Sequence, residues 1–248
     1  MTQTAKYEVT IIVPVYNEED NLGRVEESLS AFLPRCVAPA CVLLVNDGST
    51  DTSLEKIRAI CARQPHFFYL SSRENHGLST AMKAGIDAAE SPFVGYIDSD
   101  LQTDPEDFNV LLPHRHDYAL VTGIRANRKD TGFKRFQSRV ANGFRRRMTG
   151  DTATDTGCPL KVMQTAVAKR IPFFDGMHRF LAALVSLEGG RMKELPVRHY
   201  PRTAGVSKYH LWNRLAGPFN DCFAFRWMKK RYIRYTVDEQ SLPSPATN

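Results

Sequence analysis

Tyr96-Ile97-Asp98-Ser99-Asp100-Leu101-Gln102-Thr103-Asp104 decides how this 248-residue chain is read. The run before it, Phe93 to Ile97, is apolar and reads as a short buried strand. Two carboxylates follow at i and i+2, and a carboxamide at i+4. In extended backbone that spacing puts Asp98, Asp100 and Gln102 on one side. Three oxygen donors at the C-terminal end of a strand suit a hard divalent cation completed by substrate phosphates. A plain polar turn has the same composition, since Asp and Ser commonly follow strands. The flanking sequence is what distinguishes the two.

Upstream, strands and helices alternate. Val9 to Val15, Cys41 to Val45 and Phe67 to Leu70 read as strands. Leu22/Val25/Leu29/Phe32, Leu54/Ile57/Ile60 and Leu78/Met82/Ile86/Ala89 recur at helical spacing. Asn17 is placed to cap the first of these helices, and Pro34 to end it. This alternation predicts an α/β fold, a mostly parallel sheet covered by helices, in which ligands bind at the carboxyl ends of strands. Three polar clusters fall at such ends: Tyr16-Asn17-Glu18, Asp47-Gly48-Ser49 and Asp98-Ser99-Asp100. Asp47 alone reads as an Asx turn and Glu18 alone as helix-dipole compensation. Together they fit a nucleotide lying across the strand ends, with Asp47 accepting from a base N–H and a cation at Asp98/Asp100 bridging the diphosphate. No G-x-G-x-x-G or Walker sequence is present, which disfavours ordinary dinucleotide binding and ATPase activity.

Hydrophobic content of 42% and charged content of 24% fit a globular chain. No apolar run approaches the ~20 residues of a membrane helix, and the polar start carries no secretory signal. Five scattered cysteines read as reduced cytosolic thiols. The basicity is local. Arg125 to Arg147 holds nine bases and one acid, and Arg226 to Arg234 holds five bases and none. Subtracting +8 and +5 from the net +6 leaves −7 elsewhere. Two cationic patches imply an anionic partner: phosphate, membrane surface or nucleic acid.

Val13-Pro14-Val15-Tyr16-Asn17-Glu18-Glu19, Asn46-Asp47-Gly48-Ser49-Thr50-Asp51, Asn75-His76-Gly77 and Asp98-Ser99-Asp100-Leu101-Gln102-Thr103-Asp104-Pro105-Glu106 together resemble the inverting family 2 glycosyltransferases of GT-A fold. The D-x-D-L-Q form followed by Asp-Pro-Glu is similar to the polyprenyl-phosphate branch, which includes dolichyl-phosphate mannosyltransferase. The resemblance implies nucleotide contacts at Pro14, Tyr16, Glu18, Asp47, Gly48, Ser49, Asp98 and Ser99. It implies a divalent cation, Mg²⁺ or Mn²⁺, on Asp98, Asp100 and Gln102. Asp155 corresponds to an aspartate near the sugar in the family, although Gly157-Cys158-Pro159 departs from the commoner Gly-Phe-Arg. Arg202-Thr203-Ala204-Gly205-Val206-Ser207-Lys208 matches the branch's Arg-x-x-Gly-x-Ser-Lys, a loop that suits a lid over phosphate oxygens.

Phe133, Phe136, Val140, Phe144 and Met148 form a helical stripe among Lys134, Arg135, Arg139, Arg145, Arg146 and Arg147. Such a helix can lie in a membrane interface, or pack on a core and keep a solvated charged face. Tyr118 to Thr122 and Glu194 to Val197 read as further strands, and Phe180 to Leu187 as a core helix. Leu211 to Arg234 mixes aromatics and bases, fit for anionic lipid or for a separate membrane subunit.

The organisation expected is a nucleotide-sugar half (1–125), an acceptor half of the same catalytic domain (126–210), an amphipathic basic and aromatic segment (211–235) and a disordered polar tail (236–248). A polyprenyl phosphate acceptor is already anionic and needs cationic positioning, whereas a sugar hydroxyl needs a carboxylate base. Arg125, Lys134, Arg135, Ser138, Arg139, Arg202, Ser207 and Lys208 are the candidate acceptor-phosphate contacts. Asp98, Asp100, Asp155, Arg202 and Lys208 are the candidate catalytic residues. The reaction expected is inverting transfer from GDP-mannose or a UDP-hexose, by a cytoplasmic enzyme on the cytosolic face of the inner or endoplasmic reticulum membrane. One alternative is the same fold acting on a glycan or glycolipid hydroxyl, with Asp155 or another carboxylate as base. Another is a non-catalytic membrane or nucleic-acid binding module. Beyond the basic and aromatic patch, nothing in the sequence supports nucleic acid.

Overall fold

The structure, a computed structural model, describes residues 6–125, 142–200, 216–235 and 238–239. Lys134, Arg135, Ser138, Arg139, Arg202, Ser207 and Lys208 lie outside the described residues, as do Phe133, Phe136 and Val140.

Seven strands form one sheet: β1 (Val9–Val15), β2 (Ala40–Asp47), β3 (Phe67–Ser72), β4 (Phe93–Tyr96), β5 (Leu120–Arg125), β6 (Lys161–Gln164) and β7 (Met192–Val197), in spatial order β3-β2-β1-β4-β6-β5-β7. The pairs β1·β2, β2·β3, β1·β4 and β5·β7 are parallel, while β6 runs antiparallel to both β4 and β5. One reversed strand therefore sits in an otherwise parallel sheet. The chain winds outward through β1, β2 and β3, then returns to place β4 on the other side of β1. That reversal creates the crevice in which α/β sheets bind ligands.

Residue alternation assigns the two faces. Ile11, Val13, Val42 and Leu44 point to one core, closed by α1 (Leu22–Phe32), α2 (Ser53–Arg63) and α4 (Phe108–Leu111). Ile12, Leu43, Val45 and Val94 point to the other. That face is covered by α3 (Leu78–Ala88), α6 (Thr165–Arg170), α7 (Leu181–Leu187) and α8 (Ala216–Arg231). A further helix, α5, spans 142–149. Because β1, β2 and β4 are buried on both faces, they read as continuous apolar runs rather than as polar–apolar alternation.

Three local expectations are corrected. Asn17 does not cap α1. Asn21 occupies that place with no side-chain cap bond, and Asn17 adopts φ +51° and bonds across to Thr50 instead. The fifth strand begins at Leu120 rather than Tyr118, because the Tyr118 N–H closes a turn on the His114 carbonyl. Residues 98–102 are not extended. β4 ends at Tyr96, the Leu101 N–H donates to the Asp98 carbonyl, and Leu101 takes φ +49°. A turn, not the pleat of a strand, therefore arranges Asp98, Asp100 and Gln102.

Candidate active site

The parallel strands β1, β2, β4, β5 and β7 share one carboxyl edge, and the polar clusters gather along it. The loops after β1 and β2 are cross-laced. Ser49 Oγ accepts from Asn17 N at 3.0 Å, Asn17 Oδ1 from Thr50 N at 2.8 Å, and Ser53 Oγ from Glu18 N at 3.0 Å. Glu18 Oε2 accepts from Asn21 Nδ2 at 2.6 Å, which leaves the chain turn fixed before α1 begins. Pro14, Tyr16 and Glu18 are half-buried along this edge.

Asp47 is 3% exposed, and its carboxylate accepts from His76 N (3.0 Å), Gly77 N (2.7 Å) and Asn75 Nδ2 (2.8 Å). Gly77 is the N-cap of α3, so the negative charge also meets the positive end of that helix. Three of the roughly four acceptor positions of a carboxylate are thereby used, and at most one remains for a nucleobase. Gly48 next to it has φ +65°, and a Cβ there would stand 2.3 Å from the Glu74 carbonyl carbon. Only glycine fits this crossing of two loops.

The Asp98–Asp104 turn is held from both sides. The Tyr96 hydroxyl donates to Asp98 Oδ1, and Gln102 N donates to Asp100 Oδ1 at 3.2 Å. Ser99 and Asp100 are buried, at 7% and 9% exposure, and Asp98 is half-buried. The segment leaving β7 docks alongside. Thr103 pairs with His199 in an antiparallel bridge, and Tyr200 N donates to the Gln102 carbonyl at 2.7 Å. Arg198 reaches Asp107 Oδ1 from both Nε (2.9 Å) and Nη2 (2.8 Å), and Asp104 Oδ2 from Nη1 (2.9 Å). Sequence reasoning missed Arg198, His199 and Tyr200. The one available signal was Asp107, a carboxylate at a core-facing helical position that needs a cation.

The donor set fits a hard cation. Asp98 and Asp100 offer carboxylate oxygens. The Gln102 amide nitrogen is engaged by the Tyr200 carbonyl at 3.3 Å, so its amide oxygen is the atom left to ligate. Among the described residues no group of three or more His, Cys, Asp or Glu is arranged around a metal position. Two carboxylates and a carboxamide match an ion that the protein shares with substrate phosphates, as Mg²⁺-type sites do.

Asp155 and Arg125 form one unit. Arg125 Nε and Nη2 fork onto the two Asp155 oxygens at 2.9 and 2.7 Å, and the Arg125 backbone N–H adds a third bond at 3.1 Å. The Asp155 backbone N–H in turn donates to Glu194 at 3.1 Å. Two residues expected to serve acceptor and catalysis separately thus neutralise each other. Arg145, counted among the bases of an exposed face, is also internal: it is 7% exposed and bound to Asp151 Oδ1 at 2.6 Å. Lys161, at the start of β6, stands opposite Tyr96 and Thr122 and is buried. His178 lies 3.1 Å from Ser79 Oγ. Burial, then the charges of Arg179 and Lys161, hold its pKa down to about 3, so it is neutral.

Known proteins share this framework. The family model described as Glycosyl transferase family 2 matches residues 10–172. A dodecaprenyl-phosphate galacturonate synthase of Rhizobium johnstonii is 35% identical over 208 residues, 82% of this chain and 62% of that protein. An undecaprenyl-phosphate 4-deoxy-4-formamido-L-arabinose transferase of Edwardsiella ictaluri is 34% identical over 213 residues, 82% of this chain and 63% of that protein. The chain thus spans a little under two thirds of the length of these relatives. Two solved structures share the fold at 15% identity. A mannosyltransferase of Pyrobaculum calidifontis, solved with GDP-Man and Mn²⁺, superposes with TM-score 0.62 over 94% of this chain and 66% of its own. A glucosyl-3-phosphoglycerate synthase of Mycobacterium tuberculosis, solved with Mn²⁺, UDP-glucose and glycerol 3-phosphate, does so with TM-score 0.65 over 91% and 81%. With the family model matching residues 10–172 and these solved structures sharing the fold, the chain belongs to glycosyl transferase family 2, in the GT-A fold.

Proposed function

We propose that this chain transfers a sugar from a nucleotide-sugar donor, GDP-mannose or a UDP-hexose, to a polyprenyl phosphate with inversion at the anomeric carbon. The carrying observation is the Asp98–Gln102 turn, fixed at the switch point of the sheet, in a chain whose relatives act on dodecaprenyl and undecaprenyl phosphate. Tyr96 and the Gln102 backbone orient the two carboxylates, and Arg198 with Tyr200 holds the turn against the sheet. A divalent cation, Mg²⁺ or Mn²⁺, bound by Asp98, Asp100 and Gln102 would neutralise charge building on the departing nucleoside diphosphate.

Occupation of Asp155 supports a phosphate acceptor over a hydroxyl. A general base works best with its negative charge unshared, whereas the Asp155 charge is already shared with the Arg125 guanidinium fork and backbone N–H. A phosphate monoester needs no base and needs cations to position it. Arg202, Ser207 and Lys208, with Lys134, Arg135, Ser138 and Arg139, are the residues proposed to do so. Arg125, proposed with them, is held in place by its fork onto Asp155.

The membrane surface is a further proposed partner. α8 buries Cys222 and Phe225 but exposes Phe219, Phe223 and Trp227 at 50%, 50% and 61%, near Lys229, Lys230 and Arg231. No helix among the described residues is long and apolar enough to cross a membrane. Aromatic side chains beside bases suit the boundary of an anionic leaflet, on the cytosolic face of the inner or endoplasmic reticulum membrane. A separate membrane subunit could use the same face.

The test is a donor panel in detergent, with and without polyprenyl phosphate, following nucleoside diphosphate release. Release is expected to depend on both lipid phosphate and divalent cation. Asp100→Asn should lower turnover at least 100-fold with the fold intact by circular dichroism. Release that persists undiminished in Asp100→Asn would overturn the proposal.

A further inference from the structure

The segment 151–155, which delivers Asp155, is held by a carboxylate at each end. At the first end Asp151 Oδ1 accepts from Arg145 Nη1 at 2.6 Å and from Ala153 N at 2.8 Å. Arg145 Nη2 donates to the Ala153 carbonyl at 2.6 Å. At the second end stands Glu194, from β7. Its carboxylate accepts from Thr154 N at 2.9 and 3.0 Å, from the Thr154 hydroxyl at 2.8 Å and from Asp155 N at 3.1 Å. Two successive backbone N–H groups and a hydroxyl converge on one charge. Turn backbone forms such cradles for anions, and here the anion is one of the protein's own side chains.

The bonds continue from Asp155 to Arg125. Arg125 closes β5, which pairs in parallel with the edge strand β7, Thr122 opposite Glu194 and Arg125 opposite Val197. The guanidinium forks onto both Asp155 oxygens at 2.9 and 2.7 Å. It also crosses Gly157 so closely that a Cβ there would stand 2.8 Å from Nη2. A fork fixes direction as well as distance, so a shift of the Asp155 carboxylate turns the guanidinium with it. Loss of the Glu194 carboxylate removes the acceptor that sets where the 154–155 backbone lies. A misplacement of about 1 Å in a substrate-positioning group is enough to be read in kinetics.

We propose that Glu194 is a positioning residue for the acceptor phosphate. It fixes the 154–155 backbone, through that backbone the Asp155 carboxylate, and through the carboxylate the Arg125 guanidinium. This rests on the reading of the chain as a polyprenyl-phosphate transferase with Arg125 among its acceptor contacts. Glu194 acts through Asp155 and Arg125 rather than on substrate, so its effect falls on the lipid phosphate and not on the nucleotide sugar.

The experiment is steady-state kinetics of the full chain with Mn²⁺, following nucleoside diphosphate release from whichever of GDP-mannose, UDP-glucose and UDP-galactose the wild type turns over. Undecaprenyl phosphate is varied at saturating donor, then donor at saturating undecaprenyl phosphate. Glu194→Ala should raise KM for undecaprenyl phosphate about fivefold or more and leave KM for the donor within about twofold. Glu194→Gln keeps the length and one acceptor oxygen but loses the charge. It should raise the lipid KM about twofold or more, and it carries the comparison if Glu194→Ala does not fold by thermal unfolding. In an Arg125→Gln background the Glu194 substitution should add less than about twofold, because the group it acts through is gone. A lipid KM unchanged in a folded Glu194 variant overturns the inference and leaves the transferase reading standing. So does an equal rise in both KM values, which marks a merely structural role, or a full effect retained beside Arg125→Gln. A wild type whose release never depends on undecaprenyl phosphate, with any of these donors, overturns both.

Discussion

Gly48 and Gly77 both hold positive φ, +65° and +87°, but for different reasons. At Gly48 a side chain would collide with the backbone of Glu74 and Asn75, while at Gly77 nothing lies within 4 Å. Gly48→Ala should therefore cost about 3 kcal/mol by urea denaturation, strain and collision together, and Gly77→Ala about 1 kcal/mol from strain alone. Equal costs would show that the loop crossing is softer than drawn. His178 gives a second residue-scale prediction. Its folded pKa of about 3 lies below the ordinary value of 6.5, so between those values the unfolded chain binds the extra proton. Stability from this group is complete above pH 6.5 and is lost as pH falls toward 3. The wild type should lose roughly 1 kcal/mol more than His178→Asn between pH 6.5 and 5.5, read from urea midpoints. Parallel pH profiles would contradict the burial of a neutral imidazole. Neither residue's role could be read from the chain alone. Gly48 was legible as a turn residue, but the loop it touches lies 26 positions away. His178 carried no motif at all.

Elements explain why the site is built where it is. Local periodicity sufficed for β1 to β4 and α1 to α3, because each buries an apolar face the sequence displays. It did not show that Lys161–Gln164 would run backwards between β4 and β5, since a four-residue strand carries no sign of its direction. Nor did it show the β7 exit locking onto the D-x-D turn, because Asp107 and Arg198 are 91 residues apart. That lock is testable. Asp107 is 4% exposed, so Arg198→Ala leaves a buried carboxylate short of its fork and should cost about 2 kcal/mol. It should also lower turnover at least tenfold, because the turn bearing Asp98 and Asp100 loses an anchor on its far side. Arg198→Lys should recover stability better than turnover, since a point charge replaces a fork. Steady-state kinetics on the three proteins decide it, and unchanged turnover in Arg198→Ala would detach the two segments functionally.

On the scale of the whole molecule, one edge of the sheet gathers the loops after β1 and β2 and the carboxylate turn after β4, while α8 lies over the second core and turns aromatics outward. A double substitution Phe223→Ser with Trp227→Ser should reduce sedimentation with anionic vesicles at least tenfold, from the lost burial of two aromatic side chains. Binding unchanged in that variant would remove α8 from the membrane proposal without touching the active site. The acceptor remains the decisive question, because it separates a site that positions an anion from one that deprotonates a hydroxyl. The most direct measurement offers a labelled donor sugar to undecaprenyl phosphate and to undecaprenol in parallel and counts label extracted into the organic phase. The account predicts cation-dependent product with the phosphate and none with the alcohol. Equal or greater product with undecaprenol, or with a glycan hydroxyl supplied in its place, would contradict it.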